Sequence, residues 1–152
     1  MTLKDQLNDD LKAAMRSGDE PRKNAVRLLL AAVKQVEIDQ RVTLDDTGIS
    51  GVLQKEAKGR RESIADAHKA SRADLVAGYE TELRIIESYL PRQLTRDELV
   101  EMAKTAIAEA GATDAKQIGA VMKLLTPHTK GQADGKLVSE IVRELLTKQA
   151  GG

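Results

Sequence analysis

Few residues in this sequence could do chemistry. His68 and His128 are the only histidines, and there is no cysteine. Neither histidine has a ligand-type residue four positions away, so neither makes a helical metal pair. His68 stands on a highly charged segment and is expected to be exposed. His128 falls in the polar stretch before the last expected helix. A serine–histidine nucleophile needs a strained elbow, and none is present. There is no GxxxxGK[ST] phosphate loop and no GxGxxG after a strand. Absence of cysteine removes disulfides, thiol nucleophiles and Cys-ligated zinc or iron–sulfur centres. Asp19, Asp45, Asp114 and Asp134 each stand where a helix should start, which gives them a structural reading as caps. The residues alone therefore predict no catalytic group, no metal site and no cofactor.

Two basic clusters remain. One comprises Lys55, Lys58, Arg60, Arg61, Lys69 and Arg72 against Glu56, Glu62 and Asp66. Its centre, Lys58, Arg60 and Arg61, forms a secondary basic patch, and the plainer reading is a solvated face with internal ion pairs. The other comprises Lys116, Lys123, Lys130 and Lys136 against Asp134. It surrounds the polar stretch from Thr126 to Gly135. Lys130-Gly131 would expose backbone N–H groups beside a cation, and a helix N-terminus follows. That arrangement suits phosphate. A polar loop with glycines for turn geometry is the competing reading. Neither cluster is interleaved with aromatics, so stacking on single-stranded bases is not expected. The backbone or shape of a folded RNA is the better target.

The elements that must position these residues are helical. The chain has no Phe or Trp and only two tyrosines, Tyr79 and Tyr89. Leu, Ile, Val, Ala and Met must build the core, which suits helix-on-helix packing. Apolar residues recur at spacings of three and four throughout. Leu3, Leu7, Leu11 and Met15 form a first stripe, closed by Gly18. Asp19-Glu20-Pro21 opens a second helix to about Gln40, apolar over more than half its circumference and therefore central. A third, charge-rich helix runs from about Ile49 to Ala70. Ser71 and Asp74 resemble a capping box for a fourth, with Leu75, Tyr79, Leu83, Ile86 and Leu90 as its stripe, ended by Pro91.

Thr95-Arg96-Asp97-Glu98 is a full capping-box pattern. It opens a helix with Leu99, Ala103, Ala106, Ile107 and Ala110 inward, closed by Gly111. Asp114 starts a short helix that Pro127 ends. Asp134 caps the last, with Leu137, Ile141, Val142 and Leu145 inward. The terminal Ala150-Gly151-Gly152 is expected to fray. The chain thus divides into an N-terminal helical domain, residues 1–92, of about four helices, and a C-terminal three-helix bundle, residues 93–149.

Lys and Arg number 24 against 24 Asp and Glu, so no general field attracts RNA or an anionic membrane. The longest apolar run, Leu28 to Val33, is too short to span a bilayer, and the N-terminus lacks a signal-type stretch. A soluble, cytoplasmic protein with no membrane partner is expected.

The ordered segments LNDDLKAAMRSGDEPRKNAVRLLLAAVKQVEID, KEAKGRRESIADA, SRADLVAGYETELRIIESYLPRQLTRDEL and GAVMKLLTPHTKGQADGKLVSEIVRELL resemble the GatB/YqeY family, over about residues 3 to 147. The resemblance implies an all-α protein similar to the tail of the B subunit of aspartyl/glutamyl-tRNA amidotransferase. In that enzyme the tail helps engage tRNA while the chemistry lies in a separate domain. The implied role is a stand-alone, non-catalytic module that interacts with tRNA, with an amidotransferase, or with another translation-related protein. The family label also implies a carbon–nitrogen ligase with glutamine as amido donor, for which no residues are evident. A protein-interaction module without RNA binding is the further alternative. Gly119, Lys123, Lys130, Gly131 and Lys136 match the C-terminal signature and carry over as the expected RNA surface.

Overall fold

In a computed structural model, which describes residues 1–151, the chain is all-α, with seven α-helices and no strand among those residues. The helices are α1 (Leu3–Ser17), α2 (Glu20–Gln40), α3 (Asp46–Lys69), α4 (Ala73–Glu87), α5 (Arg96–Ala110), α6 (Ile118–Thr129) and α7 (Gly135–Gly151). A 3-10 turn, Ala115–Gln117, precedes α6. The chain forms two compact units, Met1–Pro91 and a second from Arg92 onward.

Local chemistry sets the helix ends. Asp19 accepts from the Arg22 N–H and Pro21 sits in the first turn of α2, where its missing N–H costs nothing. Asp45 accepts from the Gly48 N–H at 2.8 Å, and Thr95 from the Glu98 N–H at 3.2 Å. Gly18 and Gly111 close α1 and α5 at φ of 73° and 65°, a left-handed turn that a side chain would strain. Ser71 does not cap α4. It takes the left-handed turn itself, at φ 55°, to close α3, and Arg72 precedes α4 with no side-chain cap bond. No glycine is available there, so a short polar residue fills the turn.

In the first unit α2 packs against α1, α3 and α4, and α3 likewise against the other three, so the two share the centre. The core joins Leu7, Val26, Leu29, Val33, Ile49, Leu53 and Ile86. Two expected stripes are shifted. Ala14, two turns on from the buried Leu7, is buried in α1, while Met15 is 53% exposed. In α4 the buried residues are Val76, Ile85 and Ile86, and Leu75 is 38% exposed, since α4 contacts both α2 and α3 and its inner face lies between them. Outside the core, Glu37 receives the Lys4 ammonium and the Leu44 N–H, both at 2.8 Å. The Tyr89 hydroxyl donates to Asp10 at 2.5 Å, and burial first, then this hydrogen bond, raise its pKa.

In the second unit α5, α6 and α7 all pack on one another. Leu99, Ala103, Val121, Leu125, Val138, Ile141, Val142 and Leu146 fill the centre. Pro127 does not end α6. It lies inside the helix, which continues to Thr129, and it cannot donate to the Lys123 carbonyl one turn back. The expected fraying is also not seen at Ala150 and Gly151, which stay in α7; Gly152 lies outside the described residues.

Truncation should follow burial rather than hydrophobicity. Leu29→Ala removes a fully buried side chain and should cost about 2–5 kcal/mol in urea unfolding, whereas Met15→Ala should stay within about 0.5 kcal/mol. Equal losses at the two sites would contradict this packing.

Candidate nucleic-acid interface

The residues expected to meet RNA lie in the second unit, on α6, on the turn after it and at the start of α7. Gly119 and Lys123 stand four apart on α6 and share a face. Both are exposed. Lys130 leaves the helix at φ −57°, ψ 125°, and its own N–H still bonds the Thr126 carbonyl at 3.0 Å. That N–H is therefore internal and not available to a phosphate. Gly131 follows at φ 83°, where an L side chain is strained. The Gln132 N–H turns back to the Thr129 carbonyl at 2.9 Å.

This turn is strapped to the segment before α5. The Leu94 N–H donates to the Gln132 carbonyl at 2.7 Å. The Gln93 amide donates to the Gly131 carbonyl, and the Gln132 amide to the Arg92 carbonyl, each at 3.2 Å. Arg92 is in turn held by a two-pronged bond to Glu98, at 2.9 and 2.7 Å. Sequence patterning singled out none of Arg92, Gln93, Leu94 or Gln132 as positioning residues. They are close only in space, about forty positions apart along the chain.

The start of α7 differs from expectation in its electrostatics. The Asp134 carboxylate accepts from the Lys136 N–H at 3.1 Å, and its carbonyl from the Val138 N–H at 3.1 Å. A negative charge already complements the helix end. An anion there would have to displace it, so contact falls to lysine side chains rather than to the helix terminus. Lys123, Lys130 and Lys136 are all exposed, and none joins an ion pair among the described residues.

The secondary patch is different. Arg60 meets Glu82 at 2.5 Å and Glu56 at 3.6 Å, and Arg61 meets Glu87 at 3.8 Å. Two of its three cations thus tie α3 to itself and to α4, while Lys58 is exposed. His68 is exposed near the end of α3. His128 is in the last turn of α6, not in the loop, and is also exposed. It lines a groove of about 190 Å³ with Met102, Thr105, Glu109 and Leu124. No group of three or more His, Asp or Glu side chains that could hold a metal occurs among the described residues.

Two measurements test this geometry. Gly131→Ala should lower the unfolding free energy of the second unit by about 1–2 kcal/mol, because the left-handed turn penalises Cβ. The Arg92 guanidinium, followed by the Thr95 backbone, draws the Glu98 carboxyl from 4.5 down to about 2. A folded value below the unfolded one stabilises above pH 4.5, and that contribution fades as pH falls from 4.5 to about 2. Carbon-detected NMR should place the Glu98 midpoint near 2, and Arg92→Ala should return it toward 4.5. A midpoint unchanged by that substitution would show that the guanidinium does not hold the carboxylate.

Comparison with known proteins adds to this geometry. A family model described as Yqey-like protein matches residues 4–146. The chain is 38% identical over 85 residues to altered inheritance of mitochondria protein 41, mitochondrial, of Vanderwaltozyma polyspora, covering 55% of this chain and 46% of the relative. The protein of the same name in Lachancea thermotolerans is 40% identical over 85 residues, with the same two coverages of 55% and 46%. That of Pyrenophora tritici-repentis is 28% identical over 144 residues, covering 93% of this chain and 79% of the relative. The chain therefore spans under half the length of the first two relatives. The expectation of a cytoplasmic location is overturned by these relatives, which are named as mitochondrial proteins. With a match that runs through α1 to the last turns of α7, the chain belongs to the YqeY-like protein family.

Proposed function

We propose that the chain is a non-catalytic module whose second unit binds the phosphate backbone of tRNA, alone or together with an amidotransferase-type or other translation-related protein. The observation that carries the reading is electrostatic. Lys123, Lys130 and Lys136 are exposed cations without a carboxylate partner among the described residues, in a chain whose formal net charge is zero. The likeness to an amidotransferase tail supplies tRNA as the folded RNA. Three lysines give modest affinity, with a salt slope of about −2 to −3.

A filter-binding titration against salt tests it. Lys130→Ala with Lys136→Ala should weaken tRNA binding about tenfold and flatten the slope by about two. Equal affinity for tRNA and random duplex would overturn the reading, as would glutamine-dependent turnover by the purified chain. Gly119→Ala gives a further readout. A Cβ at Gly119 meets nothing within 4 Å, so the substitution should stabilise the helix by about 0.5–1 kcal/mol. A variant that is more stable yet binds tRNA less tightly would assign Gly119 to the RNA surface.

A second reading, a protein-interaction module, is favoured by the groove between α5 and α6. Its rim carries Leu124, 39% exposed, and Met102. A pulldown from nuclease-treated extract separates the two: a partner kept without RNA and lost with Leu124→Glu supports docking.

A further inference from the structure

The outer face of α2 has no part in either reading. Its inner face is buried under α1, α3 and α4, yet the outer face carries Leu28 and Ile38 at 43% and 60% exposure. On an ideal helix these two stand about 15 Å apart along the axis and about 80° apart around it, with Arg27 and Lys34, about 10 Å apart, on the Ile38 flank. Arg41 and Val42, both exposed, follow at the helix end. None of Arg27, Lys34 and Arg41 joins an ion pair among the described residues. Glu37 is turned away to Lys4 and Leu44, and the one carboxylate between Arg27 and Val42 on this face is Asp39, exposed and held by the Gln35 amide at 2.8 Å.

From this juxtaposition we propose that the outer face of α2 is a docking surface for an anionic lipid bilayer. Unpaired cations meet the lipid phosphates, and Leu28, Ile38 and Val42 enter the headgroup boundary. Charge complementarity selects the occupant. A second copy docked through the same face would gather Arg27, Lys34 and Arg41 of both copies with only Asp39 of each to offset them. RNA would press phosphates onto aliphatic side chains. An acidic partner helix needs a groove, whereas this is the convex back of a single helix. Zero net charge over the chain does not oppose the proposal, since an exposed charge acts within about a Debye length. The contact lies on the surface: no helix among the described residues is long and apolar enough to cross a membrane.

Vesicle sedimentation of the full chain at low salt tests this. Vesicles of phosphatidylcholine alone are compared with vesicles containing about one part in three phosphatidylglycerol. The chain should sediment with the anionic vesicles only. Arg27→Glu with Lys34→Glu should weaken that binding at least about tenfold. Leu28→Gln with Ile38→Gln should weaken it about fivefold. All four positions are exposed, and circular dichroism should show both variants folded. A chain that stays in the supernatant with anionic vesicles overturns the proposal and leaves the face to an acidic protein. Either folded variant sedimenting like wild type also overturns it.

Discussion

Aliphatic contact between helices is the constraint on which everything else here depends. With no Phe and no Trp, no single side chain can fill a large interior volume. The core must be assembled from many small contributions, and each unit does so around one set of facing stripes. Small residues take buried places among the larger ones: Ala14 in α1, Ala57 in α3, Ala103 in α5. Such a core tolerates little displacement, because each lost methylene leaves a void that nothing larger can refill.

Polar contacts then orient what the core has placed. In the first unit Glu37 gathers a lysine and a backbone N–H, and Tyr89 reaches Asp10 from the far end of the unit's sequence. In the second, the Arg92–Leu94 segment holds the turn at Gly131 by backbone and amide hydrogen bonds. The result is a division of the cations. Arg60, Arg61 and Arg92 are engaged with carboxylates and act as braces. Lys123, Lys130 and Lys136, and separately Arg27 and Lys34, are left facing solvent. A charge count of zero conceals this division, since pairing and exposure decide what a partner meets.

The fold was largely legible because helix periodicity, capping residues and the missing aromatics agree with one another. The caps at Asp19, Asp45 and Thr95 stand where pattern places them, since a cap bond spans only three residues. Local pattern misleads where a neighbour intervenes. The spacing of Ser71 to Asp74 suits a cap, but the close of α3 claims Ser71 for a left-handed turn. Pro127 has the residue type of a stop, but it lies in the last turn of α6, where it forfeits one hydrogen bond while Leu125 and Thr129 stay buried. The candidate site was legible as a list of lysines and glycines and not as an arrangement. The Lys130 N–H and the start of α7 proved to be already satisfied from within.

The sequence by itself determined the class of fold, the helix starts at Asp19, Asp45 and Thr95, and the types of residue available for binding. These depend on local spacing and composition, which act over one or two turns. Tertiary structure decided which stripe faces inward on α1 and α4, which cations are paired, and that the Gly131 turn is strapped to Arg92–Leu94. Those outcomes join residues tens of positions apart, and only packing brings such residues within reach of a hydrogen bond.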